Sequence, residues 1–335
     1  MAIGREVRTQ FDSGVASVNP PSLVALTGAT GFIGAALLSH LSDAGWRVRA
    51  LYRPRSGRLP ARAPGVDWLQ GDLDDPGALD ALVAGTDAVI HCAGAVRGAR
   101  RSDFDSVNAD GAGRVARAAG RLSRTPRLLL MSTLAARMPE LSYYADSKWR
   151  GECAVKAASD TLRWTVLRPP AVFGPGDREL RPLFRCIAGG FAPVPGGNPG
   201  RFSLIHVDDL ATAVLRWLAV DTGYGQTFEL DDGRPGGYDW ETVVTLAGRA
   251  LREGRPVRRV RVSVPLLGLA AWANLGAARL LGYAPMLTPG KVREITHPDW
   301  LCHSHAFVLA TGWRPTIGLE SGLARAYGPR KETTP

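Results

Sequence analysis

Apolar residues in this chain fall in short continuous runs separated by segments with helical periodicity. Five such runs predict buried β-strands, at residues 23–26, 47–52, 88–93, 128–132 and 165–168. The intervening segments are long enough for crossover helices, the first of which is predicted over 32–41. A helix from Asp208 and a strand over 227–230 are predicted to return to the same layer. This alternation favours an α/β protein with a doubly wound parallel sheet.

Three glycines join the first predicted strand to the helix after it. Gly28 permits a tight turn, Gly31 lets the backbone approach a phosphate, and Gly34 lets the helix pack on the sheet. Backbone amides at the start of the helix, helped by the helix dipole, attract an anion. We therefore expect a dinucleotide pyrophosphate at this turn, in contact with Thr27, Gly28, Thr30, Gly31, Phe32, Ile33 and Gly34.

A second motif lies after the fourth predicted strand. Tyr144 and Lys148 are four residues apart, which on a helix places both side chains on one face, whereas Tyr143 falls off that face. Ser132 and Thr133 come at the end of the strand, and open α/β sheets bind ligands at the carboxyl ends of their strands. We expect these polar groups to converge on one ligand.

The glycine turn, the hydroxyl residues at a strand end and the Tyr-x-x-x-Lys motif follow one another in a familiar order. From residue 22 to 327 the chain resembles the short-chain dehydrogenase/reductase superfamily, in its extended and atypical branch of NAD-dependent epimerases/dehydratases and 3β-hydroxysteroid dehydrogenase-like enzymes. Further segments that match this family are 70–73, 91–94, 107–111, 167–176, 206–211, 312–315 and 319–323.

The resemblance implies a Rossmann-type sheet with a smaller interleaved C-terminal substrate lobe. We expect a flexible extension over 1–21, a dinucleotide-binding domain over 22–175 and 204–232, and a substrate lobe over 176–203 and 233–328. By analogy with the family, Thr133, Tyr144 and Lys148 are catalytic, and Lys148 also holds the nicotinamide ribose. The remaining cofactor contacts implied are Asp72 at the adenine, Leu73, Ala93, Pro169 and Val172.

Reduction of a ketone needs a proton donor, and an unperturbed tyrosine, with a pKa near 10, is a weak one at neutral pH. We expect Lys148 to lower the pKa of Tyr144, because a nearby cation favours the phenolate. Thr133 is expected to orient the substrate carbonyl. An isolated Tyr-x-x-x-Lys is usually a surface tyrosine and a solvated lysine, but the surrounding motifs favour the catalytic interpretation.

Cofactor choice in such a fold depends on the end of the second strand. NAD enzymes usually carry an acidic residue there, whereas a basic residue suits the 2′-phosphate of NADP. This chain has Tyr52 and Arg53 at that place, followed by Arg55 and Arg58. We predict NADP(H) over NAD(H), because guanidinium binds phosphate in a bidentate fashion and no carboxylate is expected beside it. An ordinary basic surface loop is the alternative.

The composition of the chain indicates which binding partners and which cellular compartment to expect. The 335 residues carry a net charge of +10, mostly from arginine, but no nucleic-acid-binding motif accompanies it, so we expect no nucleic acid partner. Four scattered cysteines and six histidines predict neither disulfides nor a metal site. Residues 1–21 hold no apolar stretch of signal-peptide length, and a cytoplasmic protein is expected, with a homodimer as one option.

The segment 264–281 is nearly all apolar and is about as long as the shortest membrane spans. A buried or lid helix beside an apolar substrate pocket is the favoured interpretation. A transmembrane helix is disfavoured by Pro265, Asn274 and Arg279. Peripheral contact with the inner face of the membrane is the intermediate option, helped by basic residues over 258–261.

These features predict an NADPH-dependent oxidoreductase that interconverts a ketone and a secondary alcohol on an apolar, lipid- or steroid-like substrate. Bacterial relatives of this pattern include the ceramide-pathway reductase, so a keto-sphingolipid is the specific expectation. A nucleotide-sugar epimerase or dehydratase is the first alternative, and it is disfavoured by Arg53. A non-catalytic cofactor-binding or redox-sensing protein is the second, and the complete set of Thr133, Tyr144 and Lys148 disfavours it.

Overall fold

The structure, a computed structural model, describes residues 23–54, 60, 63–158, 162–197 and 200–328. The expected extension over 1–21 lies outside the described residues, as do Arg55 and Arg58. The strands are β1 (Leu23–Thr27), β2 (Arg47–Tyr52), β3 (Val66–Gln70), β4 (Ala88–His91), β5 (Arg127–Met131), β6 (Trp164–Arg168), β7 (Ala171–Phe173), β8 (Phe191–Pro195), β9 (Arg201–Phe202), β10 (Leu204–His206), β11 (Gln226–Glu229), β12 (Arg258–Val262) and β13 (Asp299–Trp300).

Helices connect these strands. They are α1 (Phe32–Asp43), α2 (Pro76–Val83), α3 (Arg101–Phe104), α4 (Asp110–Gly120), α5 (Tyr143–Ala157), α6 (Arg181–Ala188), α7 (Val207–Ala219), α8 (Trp240–Arg252), α9 (Val264–Leu281), α10 (Pro289–Thr296), α11 (His305–Thr311) and α12 (Leu319–Tyr327). A π-helix (Asp105–Ala109) runs directly into α4, and two 3₁₀ turns (Leu134–Arg137 and Pro139–Leu141) separate β5 from α5.

Seven strands form one sheet in the order β11-β6-β5-β4-β1-β2-β3, and every neighbouring pair is parallel. The predicted doubly wound α/β fold is confirmed. The sequence analysis missed β3, whose residues are only partly buried at the sheet edge and therefore lack a continuous apolar run. Two predicted strands also end earlier than expected, at His91 and Met131.

Apolar layers cover both faces of this sheet. Leu37 of α1 and Trp217 of α7 belong to the core on one face, and Leu82 of α2 and Val115 of α4 belong to the core on the other. A third core in the C-terminal half includes Phe184, Val194, Val243 and Leu323. Because β6, β5, β4 and β1 are adjacent and parallel, the segments that follow them meet at one edge of the sheet.

Candidate active site

The turn after β1 requires glycine on steric grounds. Gly28 has φ +75°, and a Cβ there would lie 2.6 Å from the backbone nitrogen of Ala93. A Cβ on Gly34 would overlap the carbonyl oxygen of Gly28, so the helix could not approach the turn as it does. Thr30 and Gly31 face solvent at the tip of this turn. The loop thus keeps an open cradle that side chains would fill.

The N-terminus of α1 faces this cradle with free donors. Its N-cap is Gly31, no side chain caps it, and its first turn holds no acidic residue. The first intrahelical bond runs from the amide of Ala35 to the carbonyl of Gly31 (2.9 Å). The amides of Phe32, Ile33 and Gly34 precede that bond and need an external acceptor. These residues fit the pyrophosphate of a dinucleotide.

Hydrogen bonds join the end of β4 to β1 next to the cradle. The Thr27 hydroxyl lies 2.8 Å from His91 Nδ1 and accepts a hydrogen bond from the amide of Ala93 (3.2 Å). Burial, and secondarily the charge of Lys148, lowers the pKa of His91 to about 3, so its imidazole is neutral. Thr27 and Ala93, two predicted cofactor contacts, are therefore adjacent in the structure, and His91 holds the Thr27 hydroxyl in place.

Arg53 and Asp72 lie at the edge where the adenosine part of a dinucleotide would be bound. The Arg53 guanidinium is 3.6 Å from the Asp72 carboxylate, and both side chains are about half exposed. Asp72 also accepts a hydrogen bond from the amide of Leu73 (2.6 Å). The expectation that no carboxylate lies beside Arg53 is wrong, because β3 carries the chain back past the end of β2.

Tyr144 and Lys148 share one face of α5, which begins at the N-cap Ser142. The Tyr144 phenol is hydrogen-bonded to the Thr133 side chain, and the Lys148 ammonium donates to the carbonyl of Met131 (2.7 Å). Tyr143 is exposed and points away toward Arg101. The three predicted catalytic side chains thus meet at the carboxyl end of β5.

The pKa of Tyr144 is shifted in the direction opposite to the expected one. Burial raises the pKa of Tyr144 to about 12, against the lowering effect of the Thr133 hydrogen bond, and Glu294 raises it further. The predicted lowering of the Tyr144 pKa by Lys148 is wrong, because desolvation of the phenolate is the largest cause of the shift. Burial lowers the pKa of Lys148 to about 8, while Cys92 and Glu152 act in the opposite direction.

Asn108, which the sequence matched to the family, connects the β4 loop to α5. Its amide group accepts from the Ala95 amide (2.8 Å), donates to the Ala95 carbonyl (2.9 Å) and donates to the Ser147 hydroxyl (2.9 Å). Asn108 lies in the π-helix, a distortion that often marks functional sites. A Cβ on Gly151 of α5 would overlap the backbone carbonyl of Asn108, so the close approach of α5 to the π-helix depends on glycine.

A buried ion pair on α5, one turn after Lys148, was missed by the sequence analysis. Glu152, one turn after Lys148, is fully buried and binds Arg168 through two hydrogen bonds of 2.9 and 2.7 Å. It also accepts a bond from the Ser132 hydroxyl (2.5 Å). Ser132 is therefore engaged by Glu152, which leaves Thr133 as the hydroxyl next to Tyr144. The sequence could have indicated this carboxylate, because Glu152 comes four residues after Lys148 and so lies on the same face of the helix.

The C-terminal part also reaches this cluster. In α10, Glu294 is buried and hydrogen-bonded to Ser142, the N-cap of α5, and Lys291 pairs with Glu294 (2.8 Å). The Lys291 ammonium lies 6.0 Å from the centre of the Tyr144 ring. The sequence offers no pattern that predicts these contacts, because 142 and 294 are remote along the chain.

Two further predicted cofactor residues are placed by the segment after β6. The Pro169 carbonyl accepts a hydrogen bond from the Leu134 amide (2.8 Å), which holds it next to Thr133. Val172 lies in β7, paired with Ile205 of β10. Among the residues that the structure describes, no cluster of three or more His, Cys, Asp or Glu side chains is arranged to hold a metal ion.

The helix α9 departs from the favoured expectation. Its bounds match the predicted segment, but only Ala271, Leu275 and Ala278 are buried. A buried helix is ruled out, because a single inner edge of α9 contacts the rest of the protein, whereas a lid beside an apolar pocket stays a prediction. By length and composition this helix could cross a membrane.

A model of the NAD-dependent epimerase/dehydratase family matches residues 24–230, which span the glycine turn, Tyr144 and Lys148. The chain belongs to the NAD-dependent epimerase/dehydratase family. The expected family is therefore confirmed, and with it the dependence on a nicotinamide dinucleotide. Members of this family are NAD(P)-dependent, and the match does not distinguish NADP from NAD.

Two curated relatives within this family are reductases. The chain is 38% identical over 305 residues to the ceramide reductase of Caulobacter vibrioides, covering 90% of this chain and 92% of that one. It is 29% identical over 327 residues to the 2-alkyl-3-oxoalkanoate reductase of Stenotrophomonas maltophilia, covering 90% and 97%.

Among solved structures, the fold is similar to the Bordetella bronchiseptica enzyme WbmH in complex with NAD⁺. The TM-score is 0.70 at 18% identity, and the match covers 93% of this chain and 99% of that one. At this identity the likeness supports the fold alone.

Proposed function

We propose that this protein is an NADPH-dependent ketoreductase that interconverts a ketone and a secondary alcohol on a lipid-like substrate. The observation that carries the proposal is the meeting of Thr133, Tyr144 and Lys148 beside the glycine cradle. The two reductase relatives support an oxidoreductase on a keto-lipid. Ceramide reductase is the more similar of the two, so we propose the ketone of an N-acylated sphingoid base as the substrate.

When bound, the dinucleotide supplies the hydride for the carbonyl carbon. Tyr144, with its pKa near 12, stays protonated at neutral pH and donates its proton to the developing alkoxide. The Thr133 hydroxyl is hydrogen-bonded to the phenol and is placed to orient the same oxygen. Lys148, with its pKa near 8, is mostly charged at neutral pH and stabilises negative charge as it develops.

The preference for NADP(H) remains a proposal that depends on Arg53. Its exposed guanidinium fits a 2′-phosphate, and its 3.6 Å contact with Asp72 is longer than an optimal charge-assisted hydrogen bond. A phosphate can therefore compete with Asp72 for this cation. The domain division, a homodimer, a cytoplasmic location and contact with the membrane's inner face also stay predictions.

The test is steady-state kinetics with a series of 3-keto lipids of increasing alkyl length. Burial of apolar surface contributes about 0.8 kcal/mol per CH₂, so kcat/KM should rise roughly fourfold for each buried methylene. UDP-glucose and UDP-glucuronic acid serve as the comparison for the epimerase alternative. Flat dependence on chain length together with conversion of a UDP-sugar would overturn the proposal. Dinucleotide binding without any turnover would favour the non-catalytic alternative.

A further inference from the structure

The outward face of α9 is apolar along its whole length. Residues spaced by three and four positions form one stripe on a helix, and here that stripe faces solvent. Leu269 is 67% exposed, Trp272 63% and Leu280 88%. The exposed residues of this apolar stripe are Leu266, Leu269, Trp272, Ala273, Gly276 and Leu280. A surface helix of a soluble protein normally presents polar residues there, and an exposed apolar patch marks an interaction site.

The opposite face of α9 is occupied. Ala271, Leu275 and Ala278 are buried, and Leu275 and Ala278 pack with Ala99 in the segment that follows β4. The helix is therefore fixed on the protein by small and medium-sized side chains. Trp272 and four of the leucines of α9, at positions 266, 269, 280 and 281, are left outside.

The segment of the chain that contains the stripe is basic. From residue 254 to 293 the chain contains seven basic residues and no acidic one. Arg258, Arg259 and Arg261 are exposed on β12, which runs into the start of α9, and Arg279 is exposed in the last turn of the helix. Arg259 pairs with Glu241 (3.0 Å), whereas Arg258, Arg261 and Arg279 form no ion pair with any residue of the described ranges.

We propose that α9 and β12 form a docking surface for an anionic lipid bilayer. The apolar stripe lies at the boundary of headgroups and acyl chains, and the arginines contact lipid phosphates. Each basic residue near an anionic surface adds about fivefold in affinity. A second copy of this chain is a poorer occupant, because a two-fold interface would set these basic residues against one another.

The docking surface is continuous with the active site. The chain passes from α9 to α10, and Asn274 holds the connection by donating to the Leu287 carbonyl (2.8 Å). In α10, Arg293 donates to the Leu141 carbonyl (2.8 Å), and Glu294 bonds Ser142 at the start of the catalytic helix. Resting on the proposed function for the identity of the substrate, we infer that the lipid ketone reaches Tyr144 from the docked bilayer.

The experiment is vesicle flotation of the full chain with phosphatidylcholine alone and with phosphatidylcholine containing phosphatidylglycerol. We expect flotation with the anionic vesicles, weak binding to the neutral ones and release by high salt. The double variant Leu269→Glu/Trp272→Glu should bind at least about a hundredfold more weakly. Leu309→Glu is the matched control, because Leu309 is 73% exposed on α11, which contacts the edge strand β11, and this variant should float like the unmodified protein.

A second variant tests the charges separately. Arg258→Gln/Arg261→Gln should lose roughly twentyfold or more of its affinity for anionic vesicles, and dinucleotide binding shows that each variant is folded. No flotation, equal flotation of all variants, or a dimer that Leu269→Glu dissociates would overturn the inference, as would extraction by detergent alone.

Turnover separates this inference from the proposed function. A short water-soluble 3-keto ester should be reduced equally by the unmodified protein and the stripe variant, whereas a long-chain ketone in anionic vesicles should be reduced more slowly by the variant. Flotation without reduction of any ketone would reject the proposed function alone. Reduction of the soluble ketone without flotation would reject the docking surface alone.

Discussion

Replacing Glu152 by Gln removes the negative charge from the buried pair with Arg168 while keeping the size of the side chain. The carboxylate accepts two bonds from Arg168 and one from Ser132, with Lys156 3.9 Å away. Breaking a buried pair costs about 3 to 5 kcal/mol, because the remaining charge is left without compensation. Gln keeps one acceptor oxygen, so we expect the lower end, about 3 kcal/mol. For a chain of this length that lowers Tm by roughly 4 °C.

The same substitution has a second consequence at Lys148. Glu152 raises the pKa of Lys148 against the lowering effect of burial, so its removal should bring that pKa below about 8. If charged Lys148 supports turnover, the alkaline fall of activity moves to lower pH in the variant. Calorimetry and a pH profile of kcat/KM measure the two effects independently.

The matched control is Glu241→Gln, which breaks an exposed pair with Arg259 by the same chemical change. Exposed ion pairs contribute about 0 to 1 kcal/mol, so this variant should keep its Tm within roughly 1 °C. Equal Tm values for the two variants would refute the argument from burial. An unchanged pH profile in Glu152→Gln would refute the electrostatic effect on Lys148.

Three further outcomes test the site. Tyr144→Phe should lower kcat by about a hundredfold or more and leave the dinucleotide affinity, measured by fluorescence titration, unchanged. Tyr143→Phe, the control, should retain activity. Normal turnover by Tyr144→Phe would reject the proposal that Tyr144 donates the proton. Arg53→Ala should weaken the binding of NADPH by about tenfold to a hundredfold and leave the binding of NADH nearly unchanged. Arg47→Ala, the control, should change neither affinity. Tighter binding of NADH than of NADPH by the unmodified protein would contradict this prediction. Activity should fall above about pH 8 as Lys148 loses its proton, while Tyr144 remains protonated to about pH 12, and Lys148→Arg should move that limb upward.

The fold and the cofactor cradle could be predicted from the sequence because their constraints are local. Buried parallel strands need continuous apolar runs, and the turn at Gly28 needs a left-handed backbone that other residues rarely adopt. Tyr144 and Lys148 were predictable for a similar reason, since helical spacing alone places them together. The edge strand β3 lacked such a run and was missed.

What the sequence did not predict depends on contacts between remote segments and on solvent exposure. The direction of the Tyr144 pKa shift follows from desolvation of a phenol that is partly buried by remote segments, which no local pattern reports. The bond between Glu294 and Ser142 joins α10 to the N-cap of α5 across more than a hundred residues. Likewise, an apolar segment predicts a helix, but only its packing shows which face remains outside.

These remote contacts join the C-terminal part to α5, the helix that carries Tyr144 and Lys148. Ser142 caps α5 by accepting from the Ala145 amide (3.0 Å), and its hydroxyl is also bonded to Glu294. Any movement of α10 therefore reaches the first turn of α5, where Tyr144 lies. Since α10 follows α9 in the chain, the same contacts connect the proposed bilayer surface with the proton donor. The position of α5, and with it Tyr144, is thus fixed on one side by the sheet, through the Lys148–Met131 hydrogen bond, and on the other by α10.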